Sequence, residues 1–170
     1  MIKKITFISA LLILIIAYSC KKTYEQTGAD IVINELMPVN STTVTDEYGE
    51  FDDWIELYNL SSATIDLSGY YLTDDKKELS KWRFPQSTNI EAKGYLIIWA
   101  DNDTTQAGLH ANFKLSSSGE EAILLKPDNT IIDKISFSAQ TLELSYSRVP
   151  NGTGEFKWKT PTFNKSNDTR

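Results

Sequence analysis

The side chains most able to do chemistry in this sequence are its carboxylates. They stand in pairs at Asp52-Asp53, Asp74-Asp75 and Glu120-Glu121, and around Asp101-Asn102-Asp103. Two convergent carboxylates can share acid/base work or hold a hard cation. On a strand, however, neighbouring residues project to opposite faces, so an adjacent pair converges only in a loop. Asp101 and Asp103, flanking Asn102, have the oxygen-rich alternation that calcium favours and are the candidate metal ligands. The twelfth position counted from Asp101 is Asn112 rather than a bidentate Glu, so this is not an EF-hand. His110 is the only histidine, too few for a zinc set, and no serine occupies a Gly-x-Ser-x-Gly elbow. No glycine-rich phosphate loop occurs either. The chain therefore reads as a non-enzyme, with calcium the sole cofactor candidate. His110 reads first as a structural hydrogen-bonding group and second as a ligand contact. Trp82 and Tyr71, with Tyr70 and Trp158, are the rings able to stack on a sugar, so Trp82, Tyr71 and His110 form the candidate ligand-binding set.

The single cysteine carries a different chemistry. Lys3 and Lys4 precede an apolar run from Ile5 to Ala17, and Ala17-Tyr18-Ser19 leads into Cys20. This order reads as an export signal over residues 1–19, too short for a comfortable membrane span. A thiol directly after such a signal resembles a bacterial lipobox, which makes Cys20 the lipidation site and a membrane lipid anchor the expected attachment. The polar residues up to Asp30 read as a tether, 20–30. Lys21-Lys22 follow the cysteine where acids would favour surface export, so the expectation is the cell envelope, outer membrane, periplasmic side. Asp103-Thr104-Thr105 also has the short Asp-Thr-x pattern of bacterial O-glycosylation.

Without residues 1–19, 15 basic residues face 23 acidic ones, a net charge of −8. An acidic domain has no general attraction to phosphate backbones, so nucleic acid is not an expected partner. With 41% hydrophobic and 11% aromatic residues the chain can build a core.

The elements that must position these groups are strands. Apolar residues rarely hold a helical period, whereas short runs rich in Ile, Val, Tyr, Phe and Trp recur between turn residues. Strands are predicted at 31–36, 54–58, 65–72, 81–84, 95–100, 122–125, 131–137 and 145–148, with hairpin turns at Pro127-Asp128-Asn129 and Asn151-Gly152. Eight strands without a helix predict an all-β sandwich or barrel over residues 31–163, followed by a frayed polar tail, 164–170. Trp54 and Trp99 are the expected core anchors.

Several ordered blocks resemble the lamin tail domain family: Ile33-Asn34-Glu35-Leu36, Asp53-Trp54-Ile55-Glu56-Leu57-Tyr58-Asn59, Asp66-Leu67-Ser68-Gly69-Tyr70, Leu72-Thr73-Asp74, Trp82-Arg83-Phe84-Pro85, Ile97-Ile98-Trp99-Ala100-Asp101 and Ser118-Gly119-Glu120-Glu121. The resemblance covers about Ile31 to Pro150. It implies an immunoglobulin-like antiparallel β-sandwich of the lamin-tail type. It also implies a binding or scaffolding module for a protein partner, with carbohydrate or envelope-polymer binding as the alternative and a hydrolase the least favoured reading. The matched positions are fold determinants, so the resemblance carries no binding residues over.

Overall fold

The computed structural model describes residues 29–140 and 143–168. The export signal, Cys20 and nearly all of the tether lie outside them. The described residues form strands and turns without a helix, so no helix among them is long and apolar enough to cross a membrane.

The elements are β1 (Ile31–Met37), β2 (Trp54–Asn59), β3 (Ile65–Asp66), β4 (Tyr71–Thr73), β5 (Trp82–Arg83), β6 (Asn89–Ile90), β7 (Tyr95–Ala100), β8 (His110–Ala111), β9 (Gly119–Leu125), β10 (Ile131–Ser138), β11 (Ser145–Val149) and β12 (Glu155–Lys159). One sheet runs β12-β11-β1-β2-β7-β8, a second β10-β9-β4-β5, and β3 pairs with β6. All pairs are antiparallel except β7 with β8. The expected immunoglobulin-like β-sandwich is what forms.

A continuous apolar core fills the space between the sheets, with Ile33, Leu36, Ile55, Leu57 and Ile98 from the larger sheet and Leu72, Trp82, Ala122, Leu124 and Ile135 from the smaller one. A bulge in β1 sets which residues reach it. Ile33 pairs with Leu57 and Glu35 with Glu56, so Asn34 is the extra residue. The slip lets Ile33 and Leu36 both face inward although three positions separate them. At the same place the sheets are clamped: Asp133 Oδ2 of β10 accepts the Ile33 amide at 2.8 Å, and Asp133 also pairs with Arg148 Nη2 at 2.8 Å. Arg148 Nε donates to the Ile33 carbonyl at 2.8 Å.

The structure departs from the sequence reading in three places. The strand expected over 65–72 is two strands in different sheets. Gly69 breaks it with a φ of +80°, and a Cβ there would meet Arg83 Nη2 at 3.0 Å. Strands β6, β8 and β12 are additional.

The third departure is the tail. Residues 160–168 cover the outer face of the larger sheet instead of fraying. Phe163 packs on Trp54 at 5.2 Å and on Trp99 at 5.7 Å between ring centres. Trp54 and Trp99 are cross-strand partners and are buried, but beneath this segment with Met37 rather than between the sheets. Asn167, 1% exposed, donates from Nδ2 to the carbonyls of Asn34 and Arg148, each at 3.0 Å. The polar residues of the tail satisfy buried partners, so the folded unit reaches at least residue 168.

The same outer face buries two acids, Glu35 and Glu56. Glu35 accepts from Ser145 Oγ, from the Thr162 amide at 2.9 Å and from Thr162 Oγ1 at 2.6 Å. Glu56 accepts from Asn34 Nδ2 at 2.8 Å and from the Asn164 amide at 2.7 Å.

Candidate functional site

The predicted site residues fall in three separate places. Asp101 follows β7, and the parallel pairing of β7 with β8 brings His110 beside it. Asp101 Oδ2 lies 2.5 Å from His110 Nδ1, with both side chains buried. The other oxygen, Oδ1, accepts the Asp103 amide at 2.9 Å. Asp103 Oδ1 in turn accepts the amide and hydroxyl of Thr105, at 3.0 and 2.6 Å. The expected calcium pair is thus corrected to a buried Asp-His pair followed by a self-capped turn. Both Asp101 oxygens are already engaged, and Asp103 holds its own loop.

Burial opposes a charge on His110, but the hydrogen bond and charge of Asp101, with Glu47 3.6 Å from Nε2, raise its pKa above the ordinary imidazole value. The ring is buried, which removes it as an exposed ligand contact and leaves the structural role.

Trp82 and Tyr71 do not form a platform. Trp82 pairs with Leu72 and Tyr71 with Arg83, so their side chains leave opposite faces of the smaller sheet. Trp82 is buried edge-on against Phe84, 4.6 Å between centres. Tyr71 is half-buried. The stacking expectation for Trp82 is therefore corrected: the ring is part of the core.

Two further regions present more. The first is the loop before β2. Asp46 Oδ1 accepts the amides of Tyr48 and Glu50 at 2.9 and 2.8 Å, and Gly49 turns the chain with a φ of +82°. Asp46, Glu50 and Asp52 gather there. Reading acids only as adjacent pairs hid the group, whereas carboxylates spread around a turn glycine were the usable signal. Burial, with the charges of Asp101, Asp46 and Glu50, raises the Asp52 pKa, and burial pushes Asp53 up to about 7.

The second region is the outer edge of the larger sheet. Among the described strands, β12 pairs only with β11. Its apolar residues continue the core: Tyr146 of β11 stacks on Phe156 at 5.0 Å and lies 4.8 Å from Trp158, and the Arg148 guanidinium sits 4.5 Å over Phe156. β12 and the C-terminal segment also bound a cleft of about 700 Å³, lined among others by Lys157, Trp158, Pro161, Phe163 and Lys165. Lys157 and Lys165 are exposed. The edge of β12 away from β11 carries no further strand among the described residues, and Lys157 and Lys165 place two exposed ammonium groups beside it, with Asp168 a carboxylate of the same lining.

A family model described as Lamin Tail Domain matches residues 25–139. No curated protein sequence matches the chain. Strands β11 and β12 and the C-terminal covering segment lie beyond the matched residues, although β11 pairs directly with β1.

Proposed function

Because this chain belongs to the lamin tail domain family, we propose that it is a non-catalytic binding module whose β12 edge and adjoining cleft receive an extended, acidic segment of a protein partner. The family is one of immunoglobulin-like domains often used for protein interaction and generally non-catalytic. The observation that carries the reading is the open edge of β12 beside a cleft that combines apolar walls with lysines. An incoming strand would gain main-chain hydrogen bonds from the edge, and its acidic side chains would meet Lys157 and Lys165. The rigid sandwich behind the edge lowers the ordering cost of binding.

The lipobox-like signal supports placing this module on a lipid anchor at Cys20, in a bacterial envelope and on its periplasmic side. The tether then gives the domain reach from the membrane, and the domain itself needs no lipid contact.

The test uses the full chain with extended acidic and basic peptides of equal length, followed by tryptophan emission. Acidic peptides should change the emission with an affinity that falls as salt rises. Lys157→Glu with Lys165→Glu should abolish the response without changing the melting temperature. Equal binding of both peptides, or an unaffected double variant, rejects the site. A response to envelope glycan in place of peptide, lost on Trp158→Ala, would put the carbohydrate reading first.

A further inference from the structure

The loop leading into β2 holds three carboxylates that the peptide-binding reading does not use. Asp46, Glu50 and Asp52 each place a carboxylate oxygen within 4.8 Å of the other two. Acidic clusters on surfaces are common, and this one is set apart by buried oxygens without donors. Asp46 is 7% exposed, and while Oδ1 holds the turn, Oδ2 is buried without a hydrogen-bond partner among the described residues. Asp52 Oδ2 is in the same state. So is Oε1 of Gln106, whose Nε2 donates to Glu50 Oε2 at 2.8 Å. Buried polar atoms ordinarily find partners, and a buried carboxylate oxygen is among the costliest to leave bare. Around Asp52 the charges of Asp101, Asp46 and Glu50 are all of its own sign, with Lys114 opposing them.

We infer that this loop is a divalent-cation site selective for calcium, with Asp46, Glu50 and Asp52 as its carboxylate ligands. The donor set is oxygen throughout, without the thiolate or imidazole that draws zinc and other softer metals. Calcium accepts six to eight oxygens in flexible geometry and suits a turn that offers carboxylates plus water, whereas magnesium demands a near-ideal octahedron. Gln106 is tied to the same cluster through the bond its Nε2 donates to Glu50.

The cation would neutralise the cluster and fasten the loop to the 106–107 stretch, where the Tyr48 hydroxyl already accepts the Ala107 amide at 2.8 Å. The exposed rings of Tyr48 and Phe51 ride on this loop. Its order, and theirs, would then depend on calcium.

The experiment is thermal melting of the full chain after chelation, then with calcium or magnesium, with terbium luminescence sensitised by the nearby aromatic rings as a direct binding signal. At calcium about 100-fold above Kd the melting temperature should rise by about 5–10 °C, and magnesium should do less. Asp46→Asn and Asp52→Asn keep the side-chain shape and remove charge. Both should lose the calcium shift and the terbium signal, yet melt in chelator no lower than the parent, because repulsion is relieved. Glu50→Gln, at the exposed rim, should weaken the shift and provides the test if Asp46→Asn fails to fold. Asp103→Asn should retain the full response. No calcium shift in the parent chain, a shift that survives in both Asp46→Asn and Asp52→Asn, or one lost only in Asp103→Asn overturns the assignment.

Discussion

Replacing Glu56 by Gln should flatten the stability of this domain against pH. Glu56 is fully buried beneath the C-terminal segment, and burial pushes its pKa up to about 8. The Asn34 hydrogen bond pulls it down, the neighbouring charge of Glu35 raises it again, and the Asn164 amide lowers it. Unfolded, the group titrates near 4.5. Between those values the folded chain holds a proton that the unfolded chain has released. Stability from this group is therefore complete below about pH 4.5 and is lost as pH rises toward 8. A separation of roughly 3.5 pK units at 1.36 kcal/mol each corresponds to about 5 kcal/mol across the window. Gln has the shape but no titration. Its amide would face the Asn164 N–H, a mismatch costing about 1–3 kcal/mol at every pH. The readout is accordingly the slope and not the absolute stability. Urea unfolding of both proteins from pH 5 to pH 9 should show the parent losing several kcal/mol relative to Glu56→Gln. Titration of His110 is common to both proteins and cancels. Parallel profiles would refute the reasoning, because they would mean that the two donated N–H groups keep Glu56 ionised throughout.

Trp99→Ala should cost about 3–5 kcal/mol, since it removes a buried ring packed on Phe163 and paired with Trp54; an unchanged denaturation midpoint would contradict the covered outer face. Asn167→Ala leaves two buried carbonyls without their donor and should cost about 2 kcal/mol or more. A truly frayed tail would show no loss in the same unfolding experiment.

The legible parts of this fold were those in which hydrophobicity coincides with burial. Trp54-Ile55-Glu56-Leu57-Tyr58 alternates, and the structure turns Ile55 and Leu57 to the core, but the opposite face, which alternation alone would leave to water, is covered, with Trp54 and Glu56 fully buried. The Pro127-Asp128-Asn129 turn formed as its residues dictate, with Asn129 at a φ of 66°. The alternation of Ile65-Asp66-Leu67-Ser68 running into Tyr70-Tyr71-Leu72 concealed a turn, because Leu67 and Tyr70 pack inward from the turn itself. Polarity in the C-terminal segment does not mean solvent: the Thr162 hydroxyl meets Glu35, the Asn167 amide meets the bulged strand β1, and the backbone N–H of Asn164 meets Glu56. Strand β12 alternates charge with aromatic, Glu155-Phe156-Lys157-Trp158-Lys159, which is strand-like on inspection, but the expected sandwich had already closed without it. Of the candidate site, the structural part for His110 was readable from its being alone. The splitting of Trp82 from Tyr71 depends on cross-strand register, which the one-dimensional pattern does not encode.

The most direct test of the central claim is site-specific photo-cross-linking in the native envelope, with the cross-linker placed in turn at 157 on β12 and at 77 in the exposed loop before β5. One reproducible protein adduct is expected from 157, mapped to an acidic extended segment, and none from 77. Identical adducts from both positions, or adducts at 157 that contain glycan and no protein, would contradict it.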